Sequence, residues 1–205
     1  MLERVRTETE AWKLTGMVIM TLADAVAVFH HRYFHFGLKR QFEDLMKIQE
    51  VPEEIVEGYR SVVKAASGSE AAVCARKMLA DVCRHLWVAV PVQAAMEDAR
   101  PGGGAIDGMQ LAGLYEEISS TFNKIYVCCE TGNAVLAFLS AVCLQRELDE
   151  VGEYDLLEAY DHRALDRLAE AARRIEAELV GLIEESGGRI RRYGSFEEFA
   201  AHRGC

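Results

Sequence analysis

Prolines are scarce, three in 205 residues, so little in this chain interrupts a helix. Long β-branched runs are also missing, and nowhere do apolar and polar positions alternate over a useful length, which removes the signal of a sheet. The six cysteines (Cys74, Cys83, Cys128, Cys129, Cys143 and Cys205) form no C-x-x-C, and no Cys/His set has zinc spacing. Most fall on apolar helical faces, where a free thiol acts as a small hydrophobe, so the expectation is a reduced, cytoplasmic protein. No basic stretch followed by an apolar segment and a cleavage site opens the chain, and the apolar run 14–29 is short for a bilayer and contains Asp24, so it reads as a buried helix with no membrane role. Excess positive charge is lacking too. The net charge of −10 argues against a nucleic-acid surface, which would need a basic patch. The imbalance is concentrated: residues 1–100 carry 13 Lys/Arg against 14 Asp/Glu, residues 101–205 carry 10 against 19. An acidic second half is either a solvated surface or a site for cations.

What is present is helical periodicity. The most structured stretch is 111–148, two helices joined by Thr131-Gly132-Asn133. Leu111, Leu114, Ile118, Phe122, Ile125 and Cys129 recur at steps of three and four, a single apolar stripe. Residues 134–144 are apolar all round except Ser140, the mark of a core helix. Gly132 suits the left-handed residue that ends a helix, and Asn133 suits the cap of the next.

A long helix is expected over 3–31, weakened at Gly16 and ended by Gly37 after the HHRYFHF segment. Leu38, Phe42, Leu45 and Ile48 predict a short amphipathic helix; Pro52 opens the next, with Ile55, Tyr59, Val62 and Ala66 on its face. Ser69 is placed to cap a longer helix carrying Ala72, Ala75, Leu79, Val82, Leu86 and Val90, which Pro91 kinks or ends. Residues 97–108, with Pro101 and three consecutive glycines, form a loop between a lobe at 1–96 and a second, acidic lobe at 109–205 packed on it. After Asp161, the stripe Leu165, Leu168, Ala172, Ile175, Leu179 and Leu182 predicts another helix, stopped by Gly187-Gly188. Arg189 to Tyr193 suit a short extended piece, and Ser195-x-x-Glu198 a capping box. The fold class is all-α: an antiparallel bundle of about eight helices with short loops. Both halves share a loose plan, compatible with duplication or with the general likeness of helical bundles.

Candidate chemistry is sparse. Asp24 lies among Val, Ala and Met and shares a helical face with His31; it is either part of a polar network bracing the core or a ligand-contacting carboxylate. His30, His31 and His35 cluster in sequence, yet their spacing does not put three ligands on one face, so no metal is expected. Glu116 and Glu117 stand on the helix leading the acidic half, as an ordinary exposed face or as a cation anchor and general base, the latter requiring desolvation. No Ser or Cys sits at a strand-turn-helix elbow, and Gly102-Gly103-Gly104 follows no strand, so neither a nucleophilic triad nor a phosphate loop is indicated. Neither Gly68-Ser69 nor Gly194-Ser195 is followed by the paired aspartates of metal-dependent nucleotidyl transfer.

The segment 22–87 resembles the C-terminal helical domain of kanamycin (aminoglycoside) nucleotidyltransferases. The likeness rests on an apolar helix closing in Phe29-His30-His31-Arg32-Tyr33, then Val51-Pro52 leading to Gly58-Tyr59, and a Gly-Ser break before a helix ending at Trp87. Arg32, Tyr33 and Phe34 followed by Lys39 look like a pattern of bacterial nucleotidyltransferase substrate-binding domains. In the second half, Tyr115-Glu116-Glu117 with Asn123-Lys124-Ile125 looks like the helix where that family keeps its glutamate base, and Tyr160-Asp161-His162 through Phe199 resembles its C-terminal helix and tail. The family's Gly-Ser and paired-Asp catalytic equipment is missing from this sequence, and its glutamate helix here follows the His-His-Arg helix instead of preceding it. The resemblance therefore implies a non-catalytic substrate- or partner-binding domain without a cofactor of its own. Such a domain works with a nucleotidyltransferase catalytic domain or subunit and holds a cationic small molecule at Asp24, His31, Glu116, Glu117, Asn123 and Lys124. The competing expectation is a structural module whose exposed apolar faces pair chains as a homodimer.

Overall fold

A computed structural model describes residues 7–90, 108–190 and 201. The described residues form seven α-helices and no strand: α1 (Glu8–Phe29), α2 (Gln41–Leu45), α3 (Glu53–Val63), α4 (Gly68–His85), α5 (Gly108–Glu130), α6 (Ala134–Leu148) and α7 (Leu165–Glu185). Two 3₁₀ turns, Gly37–Arg40 and Leu156–Ala159, complete the order. The all-α class expected from periodicity is what the chain adopts. Of the loop expected at 97–108, only Gly108 is described, and it opens α5; the kink at Pro91 and the capping box at Ser195-x-x-Glu198 lie outside the described residues.

Local chemistry explains most boundaries. Thr7 caps α1 by accepting from the Glu10 N–H at 3.1 Å. Ser67, two residues before the expected Ser69, caps α4: its Oγ accepts from Glu70 N–H, while the Glu70 carboxylate reaches back to the Ala66 N–H. This is a capping box displaced by one donor. The α5–α6 corner follows its sequence signal. Gly132 has φ 68° and its N–H donates to Cys129 O, the Asn133 N–H donates to Cys128 O at 2.8 Å, and the Asn133 side chain accepts from Leu136 N–H.

The helices pack about α6, whose buried faces carry Ala137, Phe138, Leu139, Val142, Leu144 and Leu148. α5 and α7 run antiparallel to each other, the start of α5 at Gly108 lying against Ser186 at the end of α7, and α1 crosses α6, with Lys13 paired to Asp149. α1 and α4, by contrast, run parallel. The Gly68 N–H donates to Glu8 Oε2 at their N-terminal ends, and His30 meets His85 at their C-terminal ends. Residues of both halves share one core: the Trp12 ring lies edge-on to Phe138 (5.5 Å) and to Tyr160 (5.2 Å), and the Tyr160 hydroxyl donates to Val63 O at 2.8 Å. Gly16, expected as a weak point, is where α1 and α6 touch: a Cβ there would overlap a γ-methyl of Val142. α1 is also long and apolar enough by length and mean hydropathy to cross a bilayer, contrary to the expectation, but Trp12, Ile19, Ala23 and Val26 are buried in the core. A core helix passes the same test.

Gln145, fully buried on α6, organises the chain between α6 and α7. Its Nε2 donates to Asp149 Oδ1 at 2.8 Å and to Tyr154 O, and its Oε1 accepts from Leu156 N–H at 2.8 Å. Replacing it with Leu keeps the volume and orphans a buried N–H. Gln145→Leu is expected to destabilise the fold by about 2–3 kcal/mol, measured by denaturant unfolding; a loss below roughly half a kcal/mol would show that this network is not structural.

Candidate functional site

α1 does not run to residue 31. It stops at Phe29 because the next turn closes on itself: the His31 N–H donates to Val28 O at 2.9 Å and the Arg32 N–H to Ala27 O at 2.8 Å. That is the helix-ending pattern usually completed by glycine, here with His31 at φ 55°. Gly37, the expected stop, instead starts the 3₁₀ turn. α4 ends in the same way, with Trp87 at φ 58°, its N–H on Arg84 O and the Val88 N–H on Cys83 O. A left-handed residue with a side chain costs roughly 1–2 kcal/mol, and such positions gather where structure serves a function.

After the turn at His31, Arg32, Tyr33 and Phe34 form one wall of a groove of about 370 Å³. The opposite wall is Asp44, Lys47, Ile48, Gln49 and Glu50, from the end of α2 and the turns after it. Phe34 and Ile48 pack on the core, Tyr33 is 70% exposed, and its ring lies 4.3 Å from that of His35. Lys47 Nζ is paired with Asp44 Oδ1 at 2.8 Å. Lys39, named in the resemblance with Arg32, Tyr33 and Phe34, has its side chain outside the described set.

The second wall is held by Gln41, 2% exposed at the start of α2. Its Nε2 donates to Asp24 Oδ1 at 3.0 Å and Met20 O at 3.2 Å, and its Oε1 accepts from the Tyr59 hydroxyl at 3.0 Å. Burial, reinforced by the Asp24 charge, pushes the Tyr59 pKa far up, so Tyr59 remains a donor. Asp24 is therefore not the buried carboxylate expected from its apolar neighbours. It is exposed, with one oxygen turned to Gln41, and serves the polar network that braces α2. Nor does it share a face with His31, which has left the helix and is exposed.

The remaining histidines separate as well. His30 Nε2 lies 2.8 Å from His85 Nε2, with the Phe29 ring edge-on to both, and the His35 ring lies tilted against that of Tyr33. Among the described residues no three His, Cys, Asp or Glu side chains converge to hold a metal ion. Burial raises the pKa of Cys74, Cys128 and Cys143, and pushes Cys129 up to about 11, so these thiols stay protonated near neutral pH.

Glu116, Glu117, Asn123 and Lys124 all lie exposed on the outer side of α5, without the desolvation a general base requires. The carboxylate engaged between α5 and α7 is Glu176, which accepts from the Tyr115 hydroxyl at 2.8 Å and the Tyr126 hydroxyl at 2.6 Å, with the Arg173 guanidinium 5.1 Å from the Tyr126 ring. This is a clasp between two helices. The fold and the groove together define an all-α bundle with an open site of mixed charge. No protein-family model matches the chain, and no curated protein or solved structure matches it.

Two consequences are measurable. His31→Gly relieves the left-handed strain and is expected to raise stability by about 1 kcal/mol in chemical unfolding, whereas His31→Val is expected to lower it. Burial and then His30 hold the His85 pKa below its ordinary value, so the unfolded chain takes up this proton first. The contribution to stability is complete above the unfolded pKa of about 6.5 and is lost as the pH falls through the folded value. Unfolding curves from pH 7.5 to about 5 should therefore show stability dropping in the wild type and dropping less in His85→Phe. Identical slopes in the two proteins would refute the pairing.

Proposed function

We propose that this chain is a non-catalytic helical binding domain, holding a small molecule for a catalytic protein with which it works, as the likeness to nucleotidyltransferase C-terminal domains implies. The observation that carries this reading is the groove. Its first wall is Arg32-Tyr33-Phe34, the tripeptide on which that likeness partly rests, and it is set in place by the strained His31. Its volume falls within the roughly 300–1,000 Å³ of small-molecule sites. The groove at the α1–α2 corner is a better candidate for the ligand than the acidic face bearing Glu116 and Glu117, because those side chains are exposed to solvent.

A structural or dimerising role is favoured by a different observation, the apolar side chains exposed near the ends of α1 and α4: Val28, Phe29, Val88 and Trp87, the last 90% exposed. Amide-resolved NMR titration of the full chain with a panel of acidic, basic and zwitterionic small molecules, run beside light scattering, distinguishes the two. The binding reading expects shifts grouped at Tyr33, Lys47 and Glu50. A concentration-independent dimer with no grouped shifts would establish the structural role in its place, and shifts confined to Glu116 and Glu117 would move the site to the acidic face.

A further inference from the structure

We propose that the groove selects a small zwitterion, a molecule joining one carboxylate and one ammonium to an apolar body such as an aromatic amino acid; this rests on the groove being the binding site. The charges that line the groove favour such a guest. Four ionic side chains face the space: Arg32, Lys47, Asp44 and Glu50. Two of them, Lys47 and Asp44, neutralise each other at 2.8 Å. The other two, Arg32 and Glu50, form no ion pair with any described side chain. Among the described side chains that line the groove, one unpaired guanidinium and one unpaired carboxylate thus remain, and their sum is zero.

A purely anionic guest satisfies Arg32 and is repelled by Glu50; a purely cationic guest meets the reverse. A guest with both charges pairs with both, and discrimination of this kind comes as much from the repulsion of the wrong charge as from attraction to the right one. The Arg32 fork suits a carboxylate, which it can grip through two parallel N–H donors. Tyr33, Phe34 and Ile48 supply the apolar part of the lining. Phe34 and Ile48 are anchored in the core, so that surface exists before the ligand arrives, while the exposed Tyr33 ring is available to fold over it. The groove's size, near the lower end for small-molecule sites, fits a guest of amino-acid dimensions and not a large polycation.

The test is a set of NMR titrations of the isotope-labelled full chain with four probes. L-phenylalanine and para-aminomethylbenzoate carry both charges, on one carbon or at opposite ends of a ring; hydrocinnamate carries only the anion and phenethylamine only the cation. At least one zwitterion is expected to bind about tenfold tighter than either singly charged probe, with shifts at Tyr33, Lys47 and Glu50. Arg32→Gln should weaken the zwitterion about tenfold, and Glu50→Gln should bring hydrocinnamate level with it. Both positions are exposed, and the unchanged remainder of each spectrum reports that the variant folds. If hydrocinnamate or phenethylamine binds the groove as tightly as both zwitterions, the charge class proposed here is overturned while the groove stands as a site. If no probe shifts the groove resonances, the inference falls together with the reading of the groove.

Discussion

The contact on which the molecule depends is the close approach of α1 to α6. Gly16 allows it, because no side chain separates the α1 backbone from Val142, and Trp12, Phe138 and Tyr160 close it with a set of edge-on and tilted rings. Interiors packed at crystal-like density cannot absorb an extra methylene without displacement, so this contact sets the position of α1 within narrow limits. Everything attached to α1 inherits that position. α4 lies parallel beside it, capped at one end against Glu8 and tied at the other through the His30–His85 pair. The Tyr160 hydroxyl carries the same constraint from the second half to Val63 in the first.

A rigid α1 makes the strained turn at its end meaningful. His31 holds a conformation that glycine adopts freely, and the surrounding hydrogen bonds over-determine it. The result is a corner at which an arginine and two aromatic residues leave the helix in a defined direction. The facing wall is fixed independently, since Gln41 satisfies Asp24, the Met20 carbonyl and the Tyr59 hydroxyl at once. Two walls positioned separately, one by the backbone turn at His31 and one by the buried Gln41–Tyr59 pair, give a groove whose lining is organised before any ligand is present, the economical arrangement for binding.

Legibility in the sequence followed the range of the interactions. The α5–α6 corner was readable because a left-handed glycine and an asparagine cap act within four residues. The stripes of α5 and α7 were readable from their period, with small shifts: Tyr115 and Cys128 are buried where Leu114 and Cys129 were expected. What escaped were pairings over long distances in the chain. Gln41 and Gln145 look like surface residues until the carbonyls and amides they satisfy are brought to them. Gly16 reads as a helix defect unless Val142 is known to lie against it. His85 and Glu176 acquire partners only through packing, and His31 overrides Gly37 because tertiary contacts can impose a backbone conformation that local preference would assign elsewhere. For the site, Arg32, Tyr33 and Phe34 were visible as part of a resemblance, but the far wall from Asp44 to Glu50 was not, and the two glutamates singled out on α5 lie on an outer face.

The central claim is that the corner after α1 is a ligand site on an otherwise structural bundle. A crystal structure of the full chain grown with the tightest-binding small molecule tests it most directly. The account predicts ligand density between Arg32 and Glu50, lying against Phe34, with His31 still left-handed. Density on the outer face of α5 instead, or a dimer that buries Tyr33 and closes the groove, would contradict it.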